Sequence, residues 1–556
     1  MNHKCSICHS PLDEFGKCRR CDNPKDKPLG HLWALIITVS IIAALIAGTV
    51  YLNKYVGNPF EILKNYKRSQ SNGSYKVTRA PKNLPIDREP KESITLEQYI
   101  QLRDYFEDQQ FAILNTLFEK YQEEFETDVY SEYKIFDACR VFRTTLPDYE
   151  EIFESWLRFS PDHFAPYLAR AYYYYENGWE SRGYRWRKDT SDEQIQKMQD
   201  FFQKVVEDVD RVLVIAPNLM PAYRILLGVN NAAGDEEGEY QVIETALELF
   251  PESFLMRANY MWAIEPRWGG SYEQMEEFAK QAEAYYDMNP ELTVLYGFIY
   301  SDQGKRLRRN EKYQQAINMY TAAISYGDNF EFYHERAEIF HYYLDEPDKA
   351  LADVERSIFL RSVAHEGYLL RSKIYYKMDE IDRALDDLNT AELIKPTYSQ
   401  TAKWRLWAAK NLLSKGHKIF EKDQQEAIDD YSLSLMFNPD NYETYYWRGV
   451  AYYRLRQYTM GLVDFEKSIE LNPRHFESYR MIDYTLLQNK EWDRIIKYWN
   501  DFLELEPGHA EAYLERSGTY YHKRDFARSL KDLKQACDLG SKEGCKRYKQ
   551  YRDKWQ

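Results

Sequence analysis

Glycine and proline are scarce, at 23 and 20 residues in a chain of 556. That disfavours an all-β architecture, which needs both at its many turns. Apolar stretches are short almost everywhere, and a mean hydropathy of −0.70 excludes a multi-span membrane protein. Positive charge is in deficit: 74 Lys and Arg stand against 89 Asp and Glu, a net of −15. Phosphate binding needs a basic footprint, so nucleic acid is not an expected partner. No glycine-rich phosphate loop follows a strand pattern, and the 11 histidines are scattered. The nearest zinc-protease pattern is His334-Glu335-Arg336-Ala337-Glu338, with a glutamate where the second ligand histidine belongs. No catalytic or cofactor-binding residue is assigned, and the chain does not read as an enzyme.

What is abundant is aromatic surface: Tyr 49, Phe 27 and Trp 12. Rings in that number suit helices packed along a long interface. Apolar residues at 44% and charged residues at 29% exclude wholesale disorder. A chain of this length holds several domains or one extended repeat array.

Four of the seven cysteines, Cys5, Cys8, Cys18 and Cys21, form C-x2-C-x9-C-x2-C. Each C-x2-C puts two thiolates on one tight turn, and two such turns supply four sulfurs for one tetrahedral Zn²⁺. With no open position the metal is structural, and its binding is the folding energy of residues 1–28. The segment resembles the bacterial zinc ribbons found at the front of membrane-anchored proteins.

Residues Leu32–Leu52 run 21 positions without a charge, about 31 Å as a helix, which matches the hydrocarbon thickness. A cleaved signal peptide would have a shorter run closed by an A-x-A site. The segment reads as a single transmembrane helix, giving a single-pass cytoplasmic (inner) membrane protein. The flanking Lys and Arg, five before and four after, scarcely orient it. The thiolates need a reducing compartment, which puts the N-terminus in the cytoplasm and the rest outside. Residues 53–93 read as a flexible linker, and 53–92 carry nine Lys and Arg against four Asp and Glu. That net of +5 suits anionic headgroups or a solvated spacer, and residues 93–556 carry −22.

Self-comparison decides the rest. In Tyr442–Arg474, Gly449, Tyr452, Tyr458, Gly461, Phe465, Ser468 and Pro473 fall at positions 8, 11, 17, 20, 24, 27 and 32 of a 34-residue unit. Small residues sit where two helices cross closely, aromatics fill the holes beside them, and proline ends the second helix. The unit resembles the tetratricopeptide repeat (TPR). Related patterns run through 297–328, 331–362, 365–395, 408–439 and 510–540, and Pro439, Pro473 and Pro507 are 34 apart. Residues 476–507 look degenerate, with Asp483 and Ile495 at small positions. Acidic pairs such as Asp386–Asp387 and Asp429–Asp430 fall on the solvent faces of second helices. The expected fold is all-α: a helical solenoid over 297–556, about seven repeats with a C-terminal capping helix.

Residues 94–296 read as an irregular helical domain. WLRFSPDHFAPYLARAYYYYENGWESRGYRW and RWGGSYEQMEEF resemble an uncharacterised bacterial family that often precedes such repeats and brings no known activity. Arg182, Arg185, Arg187, Arg267 and Trp268 cluster near loop glycines. They suit either a pocket for an anion or carboxylate-bearing peptide, or arginines stacked on aromatics for packing. Cys537 and Cys545 bracket a chain reversal at Gly540. Their spacing resembles bridged cysteines of secreted helical-repeat proteins, which implies a Cys537–Cys545 disulfide; two small buried thiols are the alternative. TPR solenoids bind peptides and proteins on the face of their first helices, so the resemblance implies a membrane-anchored interaction scaffold. The other reading is an envelope ligand-sensing or processing module that signals through the zinc ribbon.

Overall fold

The computed structural model describes residues 93–183 and 189–555, and these are helices and turns without a strand. Contacts divide the chain into two compact units. The first runs to Met378 and includes Asn389–Thr397; the second is Asp379–Leu388 with Tyr398–Gln556.

In the first unit the aromatic excess builds the core. Phe106 meets Phe142, Tyr149 and Phe153 with ring centroids 4.7–5.2 Å apart. Trp156 stacks on Phe111 at 5.7 Å and donates its indole N–H to Asn115. One buried carboxylate closes a long-range contact. Glu132 accepts from the Ser253 hydroxyl and from the Phe254 and Leu255 amides, at 2.8, 3.1 and 3.2 Å. It thereby supplies acceptors for the N-terminus of helix Phe254–Ala263, where backbone donors have no partner within the helix.

From Leu295 onward the helices come in pairs, which recur through both units. The second unit holds Ser399–Ile419 with Gln424–Phe437, Tyr442–Arg454 with Tyr458–Leu471, Phe476–Leu487 with Trp492–Leu505, and Ala510–His522 with Phe526–Asp538. The single helix Lys542–Trp555 follows. Each helix packs on the next along the chain. Starts are set by local acceptors: Asn441 takes the Glu443 and Thr444 amides, and Asp423 takes those of Gln425 and Glu426. In six of the seven pairs from Leu295 onward the turn between the helices holds one residue with positive φ, the exception being Ser399–Ile419 with Gln424–Phe437. Glu311, Asp345 and Asp379 form one series of such residues and Arg456, Lys490 and Arg524 another, each 34 apart, with φ of 57–64°. None is glycine.

The expected localisation needs correction. Among the described residues no helix is long and apolar enough to cross a membrane. The long helices Phe164–Arg182, Asp192–Ile215 and Ser399–Ile419 all carry charged side chains, and charge is costly in hydrocarbon. The segment Leu32–Leu52 lies outside the described residues, so the single-pass inner-membrane assignment and its topology have no structural support and are withdrawn.

Candidate peptide-binding face

The 34-residue period builds this face by deciding which side of each first helix is used up in packing. A Cβ on Gly449 would lie 2.6 Å from the Phe465 ring, and one on Gly416 would lie 2.5 Å from Tyr431. In the first unit Gly304 and Tyr320 repeat the arrangement at 2.8 Å. The small position is therefore set by a ring from the partner helix. The repeat that looked degenerate obeys the same geometry with different chemistry. Asp483 replaces the glycine and Trp499 the phenylalanine, and the indole N–H donates to Asp483 Oδ2 at 2.7 Å. Burial lifts the Asp483 carboxyl to about 6, against the opposing effect of the Trp499 bond.

A second link went unread in the sequence. Arg448 clasps Asp464 through Nε and Nη2, both at 2.8 Å, and its Nη1 donates to Ser432 on the preceding second helix at 3.1 Å. Arg516 does the same with Asp532 at 2.7 and 2.8 Å and with Asn500 at 2.6 Å. In the first unit Arg336 repeats the pattern with Asp353 and Thr321. One arginine thus ties three helices, and a tyrosine three residues earlier stacks on it: Tyr445, Tyr513 and Tyr333. This corrects the solvent-facing assignment of the acidic pairs. Asp430 and Asp387 are only 3% and 6% exposed. Asp430 meets Lys415 at 3.0 Å. Asp430 turns inward, where Lys415 on the first helix neutralises it.

With one side taken, the opposite side of the first helices is left. At matched positions of Tyr442–Arg454, Phe476–Leu487 and Ala510–His522 stand Val450, Tyr484 and Gly518, of which Val450 is partly buried against the core. Tyr484 is 38% exposed, Tyr521 is 45% exposed one turn beyond Gly518, and a Cβ at Gly518 would meet open space. Glu443, Glu477 and Glu511 head the same helices, one per first turn.

The other candidate residues make local contacts. Arg182 stacks on Trp179 at 5.7 Å and donates to the Gly183 carbonyl. Arg267 lies between Trp262 and Trp268 at 5.1 and 5.2 Å and pairs with buried Glu265 at 2.6 Å. Gly270 is required there, since a Cβ would lie 2.0 Å from the Ile264 carbonyl oxygen. Arg185 and Arg187 lie outside the described residues, as do Cys5, Cys8, Cys18 and Cys21. Among the described residues no group of three or more His, Cys, Asp or Glu is placed to hold a metal. In the protease-like stretch, Arg308 meets both Glu335 and Glu338. Cys537 and Cys545 are joined as a disulfide with Cα atoms 4.4 Å apart, between the last pair and the terminal helix.

Comparison with known families matches residues 442–475 to the tetratricopeptide repeat and residues 195–283 to a domain of unknown function, DUF4034. Curated proteins give no significant match. Among solved structures, YrrB, described as a TPR protein with an unusual peptide-binding site, is 19% identical over 42% of this chain and 97% of its own, with a TM-score of 0.21. The C-terminal part of a TPR protein from Cytophaga hutchinsonii is 18% identical over 44% and 98%, with a TM-score of 0.23. The TPR2AB domain of yeast Sti1, solved as a complex with pHSP90, is 13% identical over 44% and 98%, with a TM-score of 0.19. TM-scores of this size do not establish a shared overall arrangement.

Proposed function

We propose that the chain is a non-enzymatic interaction scaffold whose second unit takes an extended peptide segment across its first helices. The observation that carries this is the open strip over Gly518 between the exposed rings of Tyr484 and Tyr521, on helices whose other side is consumed by packing. The tetratricopeptide match spans one helix pair of that unit and supports the reading. A photo-crosslinking residue at Tyr484 in the full chain tests it, with one at Val463, 57% exposed on a second helix, as control. Partner adducts are expected at Tyr484. Adducts confined to Val463 refute the assignment of the face.

Zinc belongs to this proposal as a separate element. Two C-x2-C pairs are a complete donor set for one structural Zn²⁺ held by Cys5, Cys8, Cys18 and Cys21.

A further inference from the structure

A tyrosine that covers a small-position glycine brings a hydroxyl into the helix crossing, and that hydroxyl needs a partner. Over Gly304, Tyr320 donates to Glu335 at 3.2 Å, and over Gly416, the Tyr431 hydroxyl meets His417 Nδ1 at 3.0 Å. In the first unit Tyr175 lies against Gly228, where a Cβ would fall 2.2 Å from the tyrosine oxygen. Tyr175 is 8% exposed, and its hydroxyl has no hydrogen-bond partner among the described residues. Phe202 stacks on its ring at 5.6 Å, which fixes where the hydroxyl stands. A buried polar group left unpaired is costly and calls for an explanation.

Cations with spare donors stand beside it. Arg224 lies over the Tyr172 and Tyr175 rings, 5.9 Å from each centroid. It meets no carboxylate among the described residues, and its buried Nη1 has no hydrogen-bond partner. Arg143 is within electrostatic reach of Tyr175. It gives its Nε to Glu176 at 2.9 Å, and its Nη groups have no acceptor among the described residues. Glu176 does not neutralise it alone, because it also accepts from Lys395. Asp137 is taken by Arg361. Arg140 adds another positive charge: burial, then the charges of Arg361 and Arg143, hold its pKa down to about 10 against the opposing pull of Glu366. Cations therefore outnumber carboxylates in this cluster. Arg143 and Arg224 are part-exposed, so the cluster is open to a ligand on their side.

We propose that Arg143, Tyr175 and Arg224 hold a phosphate group, supplied as the free ion or as a phosphate ester. The three donors belong to three elements: the turn after Glu132–Arg140, helix Phe164–Arg182 and helix Met220–Ala233. Donors on separate elements suit a tetrahedral oxyanion better than a planar carboxylate, and a guanidinium matches phosphate oxygens two at a time. The phosphate oxygens supply the acceptors that Tyr175 and Arg224 lack, and their charge offsets the surplus of cations. The site lies within the first unit and does not depend on the peptide face proposed for the second.

Isothermal titration of the full chain with inorganic phosphate at constant ionic strength is the test. The expected result is one site per chain with a submillimolar Kd. Tyr175→Phe keeps the ring and removes only the hydroxyl, and it is expected to weaken binding about five-fold; Arg224→Gln is expected to weaken it about ten-fold or more. In phosphate-free buffer Tyr175→Phe should melt no lower than the parent, and saturating phosphate should raise the melting temperature of the parent more than that of the variant. If Arg224→Gln does not fold, Tyr175→Phe decides alone. Glycerol phosphate binding about ten-fold more tightly than inorganic phosphate supports the site as one for an ester, and equal affinity supports it as one for the free ion. Acetate that competes as well as phosphate overturns the phosphate assignment. No binding by the parent, or binding that Tyr175→Phe retains unchanged, overturns the site.

Discussion

Replacing Asp483 with asparagine should stabilise the second unit at neutral pH. The carboxyl is 6% exposed, faces Trp499 Nε1, and titrates near 6 because burial disfavours its charge. An unfolded aspartate titrates near 3.9. The folded state therefore holds the proton more tightly. The carboxyl's contribution is complete below about pH 4, shrinks as pH rises, and is lost above about pH 6. Two pH units correspond to roughly 3 kcal/mol. Asparagine keeps an oxygen for the indole N–H and never ionises. Its amide has Thr519, a hydrogen-bonding neighbour of Asp483, within reach. Residual solvent access reduces the gain, so D483N should exceed the parent by about 1–3 kcal/mol at pH 8 and equal it at pH 4. In a cooperative unit of this size that is roughly 3–10 °C in melting temperature. Melting the full chain and the variant side by side from pH 4 to 8 gives the difference directly. A difference that does not change with pH refutes the argument, because only ionisation of Asp483 makes it pH-dependent.

Four further outcomes follow from the same geometry. Gly449→Leu should cost about 1–3 kcal/mol, because its Cβ alone would lie 2.6 Å from Phe465; an unchanged melting curve would place Gly449 away from the crossing. Lys490→Gly should stabilise by about 0.5–1 kcal/mol in urea unfolding by relieving a φ of 57°, with Lys490→Ala giving no gain. Reducing Cys537–Cys545, which closes a loop with a sequence separation of 8, should lower the stability of the second unit by about 2.5 kcal/mol, and C537A/C545A should melt alike with and without reductant. The full chain purified under reducing conditions should contain one zinc by elemental analysis, and Cys18→Ser should lose it.

The helix pairs were legible because their small and large residues alternate at a fixed period, which a single chain displays. The arginine clasps were not, because a lone aspartate on a second helix such as Asp464 looks the same in sequence whether it faces water or a guanidinium. Only the partner helix, 16 residues away at Arg448, decides between them. The tight turns were missed for a related reason. Arg456, Lys490 and Arg524 adopt left-handed backbone conformations without the glycine that would signal them. Asp483 and Ile495 looked like decay of the repeat, since a rule about one position cannot register a compensating change at another. Trp268 and Arg267 were found as a cluster, but the carboxylate beneath them, Glu265, drew no notice as a lone acid in an apolar stretch.

The repeat Phe476–Leu505 shows why these substitutions belong together. Its neighbours link their two helices through an arginine and an aspartate at matched positions, Arg448 with Asp464 and Arg516 with Asp532. Here Ile482 and Tyr498 stand at those positions, with Ile482 fully buried, and the clasp is gone. One residue further along each helix, glycine and phenylalanine have become Asp483 and Trp499, which hydrogen-bond to each other. The polar link has moved by one position rather than vanished. A buried polar pair adds little net stability over apolar packing, but it penalises any slip that would leave its members unpaired. Each pair in this series therefore keeps one such pin, which sets how its two helices register. The pins sit on the packed side, so Tyr484 and Gly518 differ on the exposed side without disturbing them. This separation lets the face change its ligand chemistry from repeat to repeat while the stack beneath it stays the same.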